Sequence, residues 1–171
     1  MKRSEINRSI REALDFLAEH RFPLPEWATW TPPMWNRHGE ECREIRDNAL
    51  GGDVTDFGKG NFSREGLTLF TIRNGNPARD RKTYCEKIMF VREGQVTPIH
   101  FHWHKMEDII NRGGGDLCMK LWKADQKERM TETPCTFQVD GITTTLRAGE
   151  ILRLRPGQSI TFEPYMYHTF W

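Results

Sequence analysis

The segment from Gly94 to Gly114 constrains the fold most, because it spaces two imidazoles and a carboxylate for convergence on one point. It carries His100 and His102 one residue apart, and Glu107 follows five positions after the second histidine. On a β-strand, residues i and i+2 point to the same face, so both imidazoles can aim at one centre. The chain must then turn to bring Glu107 back, and the two glycines bracket a hairpin that allows this. Because nitrogen and oxygen donors suit divalent transition metals, the pattern predicts a metal site on a strand.

Outside the segment of residues 94–114, the sequence also indicates a mainly β protein. Short apolar stretches alternate with turn signals, and Asp140-Gly141 is typical of a two-residue β-hairpin. A series of short strands separated by turns favours an antiparallel sandwich or barrel. The predicted strands are residues 67–73, 84–92, 96–103, 117–122, 136–139, 142–146, 150–154, 159–162 and 167–171.

The N-terminal third predicts helices instead. Residues 4–20 carry apolar side chains at helical spacing, and short helices are expected near residues 32–37 and 40–48. A chain of 171 residues fits one domain with a sizeable core. We therefore expect a single domain over residues 1–171, in which a helical segment of residues 1–50 packs on a barrel formed within residues 66–171.

Composition argues against two classes of partner. The net charge is +1, and no basic patch with interleaved aromatic residues suggests nucleic acid. No apolar run approaches the ~18 residues of a membrane-spanning helix, and the N-terminus lacks the apolar region of a signal peptide. The four cysteines form no Cys-x-x-Cys pair, which favours free thiols in a reducing cytoplasm. We expect a cytoplasmic homodimer, since small barrels often pair their exposed edge strands.

A fourth metal ligand is expected from the end of the chain. Strands distant in sequence lie side by side in a rolled-up barrel, so His168 can reach the centre formed by His100, His102 and Glu107. Three imidazoles and one carboxylate leave open positions on an octahedral ion, which indicates a catalytic metal. The mixed donor set suits Mn, Fe, Co, Ni or Zn. His104 shares strand parity with the first two histidines and is the alternative ligand.

Several sequence motifs resemble those of known families. The frame of residues 94–114, together with Pro156-Gly157 and His168, resembles the two motifs of the cupin superfamily. Longer strings resemble the D-lyxose isomerase family of cupin sugar isomerases, and the resemblance covers the chain from about residue 30 onward. These strings are VTDFG at 54–58, LFTIRNG at 69–75, KMEDIINRGGG at 105–115 and YHTFW at 167–171.

The resemblance implies a fold and an activity. The fold would be a cupin-type antiparallel β-barrel, a jelly roll, with an N-terminal helical segment. The activity would be metal-dependent aldose–ketose isomerisation, usually with Mn²⁺, between D-lyxose and D-xylulose and between D-mannose and D-fructose. The family's metal ligands map onto His100, His102, Glu107 and His168. Family members continue past the YHTFW element with acidic and polar groups near the site, whereas this sequence ends at Trp171.

Three residues are candidates for catalysis. Moving a proton between adjacent carbons requires a positioned base, and Glu107, Lys105 and Lys87 are the candidates. Lys105 lies between two ligands in sequence, so it cannot be far from the ion. Lys87 alternates with Ile88 on a predicted strand, so it points into the barrel if Ile88 packs outward against the helices.

Five residues are candidates for substrate binding. Lys87 and Lys105 can meet a sugar oxygen, and Trp103 offers an aromatic wall for the apolar face of a sugar. Asp108 and Asn111 are expected on a turn after the ligand strand, where they orient hydroxyl groups or imidazole N–H groups. Capping that turn is the alternative role for these two side chains.

Two other functions fit the same donor set. A cupin dioxygenase could use these ligands for Fe(II), since histidines and a carboxylate with open positions suit that ion. A non-catalytic sugar-binding cupin is the third interpretation.

Overall fold

The chain begins with a long helix and changes to strands at Gly51, and the computed structural model describes all of residues 1–171. The helices are α1 (Arg3–Glu19), α2 (Pro32–Trp35) and α3 (Arg43–Asp47), with 3₁₀ turns at Glu26–Thr29 and Glu40–Cys42. The strands are β1 (Gly51–Thr55), β2 (Leu67–Asn74), β3 (Cys85–Phe90), β4 (Thr97–His100), β5 (Glu107–Ile110), β6 (Leu117–Lys123), β7 (Cys135–Val139), β8 (Ile142–Leu146), β9 (Ile151–Leu154), β10 (Ser159–Phe162) and β11 (Met166–Phe170). None of the helices combines the length and apolar character that a membrane crossing requires.

Contacts within the chain divide it into two units, residues 1–91 and 92–171. In the first unit, β1, β2 and β3 form an antiparallel sheet in that order, and α1 packs on it. Ala13 and Leu17 are buried on the sheet side of α1, and Phe16 contacts Phe90 at a ring distance of 4.9 Å. The prediction of a single domain over the whole chain stays a prediction.

The second unit contains the eight strands β4 to β11 in two antiparallel sheets. One sheet has the order β5-β10-β7-β8 and the other the order β4-β11-β6-β9. Successive strands pass repeatedly from one sheet to the other, which is the double Greek-key order of a jelly roll. The predicted cupin-type, mainly β fold with an N-terminal helix is therefore confirmed.

Side chains from both sheets form the core of this second unit. Met119 and Leu154 come from one sheet and are fully buried, and Ile160 and Phe162 come from the other. Phe162 contacts the ring of His168 at 4.5 Å, so this histidine points inward between the sheets. A polar side chain placed there requires a partner, because burying an unpaired polar group is costly.

Two strand boundaries differ from the sequence prediction around the histidines. The predicted strand 96–103 ends at His100, and residues 107–110 form a strand where a turn was predicted. Glu107–Ile110 pairs with β10, where Phe162 lies opposite Glu107. Residues 107–110 place two polar side chains before two isoleucines, without strand alternation. The turn prediction was wrong because the partner strand lies about fifty residues away.

Candidate metal centre

Strand pairing and one loop bring four donor side chains together. His168 on β11 lies directly opposite His100 at the end of β4, in the antiparallel pair that joins these strands. His102 lies in the connection that leaves β4, and Glu107 begins β5 in the other sheet. One donor atom from each of the four residues lies within 4.8 Å of the others. The predicted ligand set is thus one spatial group, and the exposed His104 lies outside it.

Two backbone carbonyls orient the histidines. Nδ1 of His100 is 2.8 Å from the carbonyl oxygen of Pro98, and Nδ1 of His168 is 3.0 Å from that of Met166. A carbonyl only accepts, so each Nδ1 carries the proton and donates it. Each Nε2 then keeps its lone pair free for a metal, as in other histidine ligands held by an outer hydrogen bond.

Three buried donor atoms in the group have no hydrogen-bond partner. They are Nε2 of His102, Oε2 of Glu107 and Nε2 of His168. Glu107 Oε2 lies 2.9 Å from His102 Nε2 and 3.5 Å from His168 Nε2, without forming a hydrogen bond to either. An unsatisfied buried polar atom costs about 1–3 kcal/mol. A divalent ion would satisfy all three atoms at once, so the donor set fits a metal.

A second cluster of potential ligands differs from the first because hydrogen bonds already occupy its histidine and its carboxylate. His38, Glu41 and Cys42 also place donor atoms close together. Nδ1 of His38 is already 3.3 Å from Oε1 of Glu41, which also accepts a hydrogen bond from the backbone N–H of Gly39. The guanidinium of Arg46 donates to the carbonyls of His38 and Gly39. Because His38 and Glu41 are already partnered and a cation lies beside them, this cluster does not resemble a metal site.

Burial and nearby charges determine the protonation states of side chains in the donor group. Burial, and after it the charge of the nearby His100, lower the pKa of His168 to about 4, against the opposing effects of the Met166 carbonyl and Glu107. Burial also lowers the pKa of His102, helped by the charge of Lys105. Burial alone would raise the pKa of Glu107, but the charges of Lys105 and His168 hold it below its usual value. At neutral pH His102 and His168 are therefore neutral and Glu107 is a carboxylate, the forms that bind metal.

Comparison with known proteins identifies the family. The D-lyxose isomerase family profile matches residues 1–171. The chain is 47% identical over 174 residues to a D-lyxose/D-mannose isomerase of Escherichia coli O157:H7, covering 100% of this chain and 77% of that protein. It is also 47% identical to a D-lyxose/D-mannose isomerase of Serratia proteamaculans, covering 76% of that protein. The chain belongs to the D-lyxose isomerase family. The predicted family, and with it the prediction of an isomerase enzyme, is confirmed.

Two solved structures share the fold of this chain. The L-ribose isomerase of Acinetobacter sp. DL28, in complex with L-ribose, matches with a TM-score of 0.58 and 18% identity over 99% of this chain and 74% of that one. The L-ribose isomerase of Cellulomonas parahominis matches with a TM-score of 0.55 and 19% identity over 99% of this chain and 76% of that one.

Lys105 and Trp103 lie on the segment of this D-lyxose isomerase family member that joins the two sheets. Nζ of Lys105 donates to Oε1 of Glu107 at 3.2 Å, and Oε2 of that carboxylate faces the histidines. Trp103 is half exposed, and its Nε1 donates to Oε1 of Glu128 at 3.0 Å. The predicted catalytic lysine is thus one hydrogen bond from the donor group.

Asp108 and Asn111 have local partners instead. Strand alternation turns Asp108 to the face opposite Glu107, where it accepts a hydrogen bond from Thr161 Oγ1 at 2.5 Å. The buried amide of Asn111 donates to the carbonyls of Gly115 and Leu154. The structure does not bring these two side chains to the donor group, and a role in substrate binding stays a prediction for both.

Lys87 lies on β3 in the first unit, where it is exposed. Its neighbours Ile88 and Phe90 line the same cavity as residues of α1. The side chain of Lys87 therefore lies on the sheet face that points away from α1, as alternation along the strand requires. Its predicted catalytic role stays a prediction.

Sequence reasoning missed the groups that support the ligands. The carbonyls of Pro98 and Met166 hold the histidines, but a backbone carbonyl leaves no signal in a sequence of side chains. Both lie two residues before the histidine they orient, and this spacing is a local feature of the strand.

The pH dependence of stability tests the buried state of His168. In metal-free protein we expect the free energy of unfolding to decrease as the pH falls. The pKa of His168 is lowered from 6.5 to about 4 on folding, so between these values the unfolded chain binds the proton and the folded chain does not. The contribution of neutral His168 to the free energy of unfolding is fully present above the pKa of the unfolded chain. Its loss between about pH 7 and about pH 5 is about 2 kcal/mol.

Urea titrations at these two pH values measure the effect. His168→Gln cannot titrate, so its loss of stability over the same interval should be clearly smaller. An equal loss in both proteins would contradict the buried, neutral imidazole.

Proposed function

We propose that this chain is a metal-dependent aldose–ketose isomerase that converts D-lyxose to D-xylulose and D-mannose to D-fructose. The observation that carries the metal is the set of three buried donor atoms without a partner, on His102, Glu107 and His168. Membership of the D-lyxose isomerase family and the D-lyxose/D-mannose isomerase relatives support the substrates.

The proposed metal ligands are His100, His102, Glu107 and His168. A divalent ion held there would supply Lewis-acid stabilisation of the negative charge that develops on adjacent sugar oxygens. The resemblance to the family favours Mn²⁺, and the donor set also suits Co²⁺, Ni²⁺, Fe²⁺ or Zn²⁺.

The chain's own residues supply the proton transfer. Lys105 Nζ can hold a proton at 3.2 Å from the carboxylate of Glu107, and this pair can pass a proton to or from a sugar carbon. We propose Lys105 as the residue that moves the proton, Glu107 as its partner and Lys87 as the alternative. Trp103 supplies exposed aromatic surface beside Lys105, which suits the apolar face of a sugar.

The proposal extends to the setting of the enzyme. Four free cysteines support a reducing cytoplasm. Ile142 on β8 and Ile151 on β9 are 70% and 52% exposed, and both strands lie at sheet edges, which supports a homodimer.

Conversion of sugars by metal-reconstituted protein tests the proposal. We expect metal-free protein loaded with Mn²⁺ to produce D-xylulose from D-lyxose and D-fructose from D-mannose, as detected by chromatography or NMR. Chelated protein under the same conditions is the control. Failure to form ketose with any divalent ion of a panel would overturn the proposal.

The same preparation separates the other two functions. Sugar binding measured by calorimetry without turnover would favour a non-catalytic cupin. Oxygen consumption by the iron-loaded protein with a diketone or a thiol would favour a dioxygenase.

A further inference from the structure

An aromatic cluster alternates along the chain with the candidate metal ligands. Its members are Phe101, Trp103, Tyr165 and Tyr167, which precede or follow His100, His102 and His168 in sequence. The ring of Phe101 lies 5.0 Å from that of Trp103, 5.7 Å from Tyr165 and 4.6 Å from Tyr167.

The histidine rings form a separate group. His100 lies 4.1 Å from His168 and 5.1 Å from His102, measured between ring centroids. Phe101 contacts Trp103 and Tyr167, whereas the histidine rings contact one another, so the two sets of rings pack as separate groups. The aromatic cluster therefore supports the segments that carry the ligands, and Trp103 keeps the exposed surface proposed for the sugar.

One residue outside both groups binds two members of the aromatic cluster. Oε1 of Glu128 accepts a hydrogen bond from Nε1 of Trp103 at 3.0 Å. The backbone carbonyl of Glu128 accepts one from the hydroxyl of Tyr167 at 2.7 Å. Trp103 directly follows His102, and Tyr167 directly precedes His168. Glu128 thus binds a residue adjacent to each of two ligands.

The turn that carries Glu128 is held by its own hydrogen bonds. Glu128 has φ +61°, and its N–H donates to the carbonyl of Asp125 at 3.0 Å. The carboxylate of Asp125 accepts from the backbone N–H groups of Lys127 and Arg129 and from Nε of Arg129. The turn is therefore a fixed support for the side chains that bind Glu128.

Backbone hydrogen bonds connect this turn to the ligand segment as well. The N–H of Ala124 donates to the carbonyl of Tyr165 at 3.0 Å, and the N–H of Tyr165 donates to the carbonyl of His102 at 2.9 Å. His102 lies outside the strands, whereas His168 is paired on both sides, with His100 and Leu121. His102 therefore depends more on these contacts than His168 does.

We propose that Glu128 is a positioning residue that fixes His102, through Trp103, in the geometry required for metal binding. This inference rests on the proposed metal centre. It assigns to the turn at residues 125–129 a role in metal affinity.

A pair of substitutions at position 128 tests this role. Glu128→Gly removes the carboxylate and suits the positive φ, so the backbone and the bond from Tyr167 are retained. Glu128→Gln removes the charge but keeps an oxygen that can accept from Trp103. We expect the glycine variant to bind Co²⁺ about ten-fold more weakly, the lower end of the effect of losing a direct outer partner of a ligand, because Glu128 acts through Trp103. The glutamine variant should bind as the unaltered chain does.

The visible absorption of bound Co²⁺ reports its coordination without any need for activity. We expect the glycine variant to show a changed spectrum and the glutamine variant an unchanged one. Trp103→Phe removes the donor and keeps an aromatic ring, so its effect on affinity should equal that of the glycine variant. The double variant should lose no more than either single variant, because both changes remove one hydrogen bond.

Three results would overturn the inference, and they can be told apart. If the unaltered chain binds no Co²⁺, the proposed metal centre and the role of Glu128 both fail. If the unaltered chain binds Co²⁺ and the glycine variant binds it equally with the same spectrum, the role of Glu128 alone fails. Additive losses in the double variant would also overturn it.

Discussion

His168→Gln is expected to lose divalent-metal binding and isomerase activity together. His168 has no exposed surface, and its Nε2 is a buried donor atom without a partner. Its Nδ1 already donates to the carbonyl of Met166, so only Nε2 remains available to bind a metal. Removing an outer partner of a ligand costs about 10–100-fold in affinity, and we expect removal of the ligand itself to exceed this.

Thermal melting with and without metal measures the effect independently of sugar chemistry. A ligand that binds only the folded state stabilises it, by about 2.7 kcal/mol at 100 times its dissociation constant. Metal should therefore raise the melting temperature of the unaltered chain and leave that of His168→Gln unchanged.

His104 provides the matched control for this substitution. It is exposed and lies outside the donor group, although it shares strand parity with His100 and His102. His104→Gln should keep both metal binding and activity. Loss of metal binding in His104→Gln, with retention in His168→Gln, would contradict the ligand set.

The ligand set could be predicted because its geometry is partly local. The spacing of His100 and His102 places both rings on one side of an extended chain, whatever the rest of the fold. His168 required the jelly-roll topology, since its contact with His100 crosses about seventy residues. That topology was expected from the run of short strands and from the family resemblance.

The surroundings of the site could not be predicted because they depend on register with distant strands. A turn at residues 107–110 would leave Asp108 free to face the substrate, whereas pairing with β10 turns it to Thr161. The strand β1 at residues 51–55 is likewise absent from the predicted strands, and it forms by pairing with β2. Glu128 belongs to no motif, and its contact with Trp103 arises only when the turn packs against the ligand loop.

Lys105→Met is expected to separate proton transfer from metal binding. The lysine side chain is 55% exposed, so its loss should leave the fold and the four ligands in place. Its ammonium group donates to Oε1 of Glu107, the carboxylate oxygen that points away from the histidines. A positioned acid or base contributes about 10²–10⁴-fold to a rate, so kcat should fall by that amount. Affinity for Co²⁺ should change far less.

Exchange of substrate hydrogen with deuterated water measures the step that Lys105 is proposed to carry. We expect Lys105→Met to lose exchange and turnover in parallel, because both require the same proton transfer. Lys59→Met, at an exposed position to which no role is assigned, controls for loss of a surface charge. If Lys87 carries the proton instead, Lys87→Met will show the loss and Lys105→Met will retain turnover within about ten-fold of the unaltered chain. The comparison of the two lysine variants therefore assigns the base, and metal affinity in each shows that the site itself is intact.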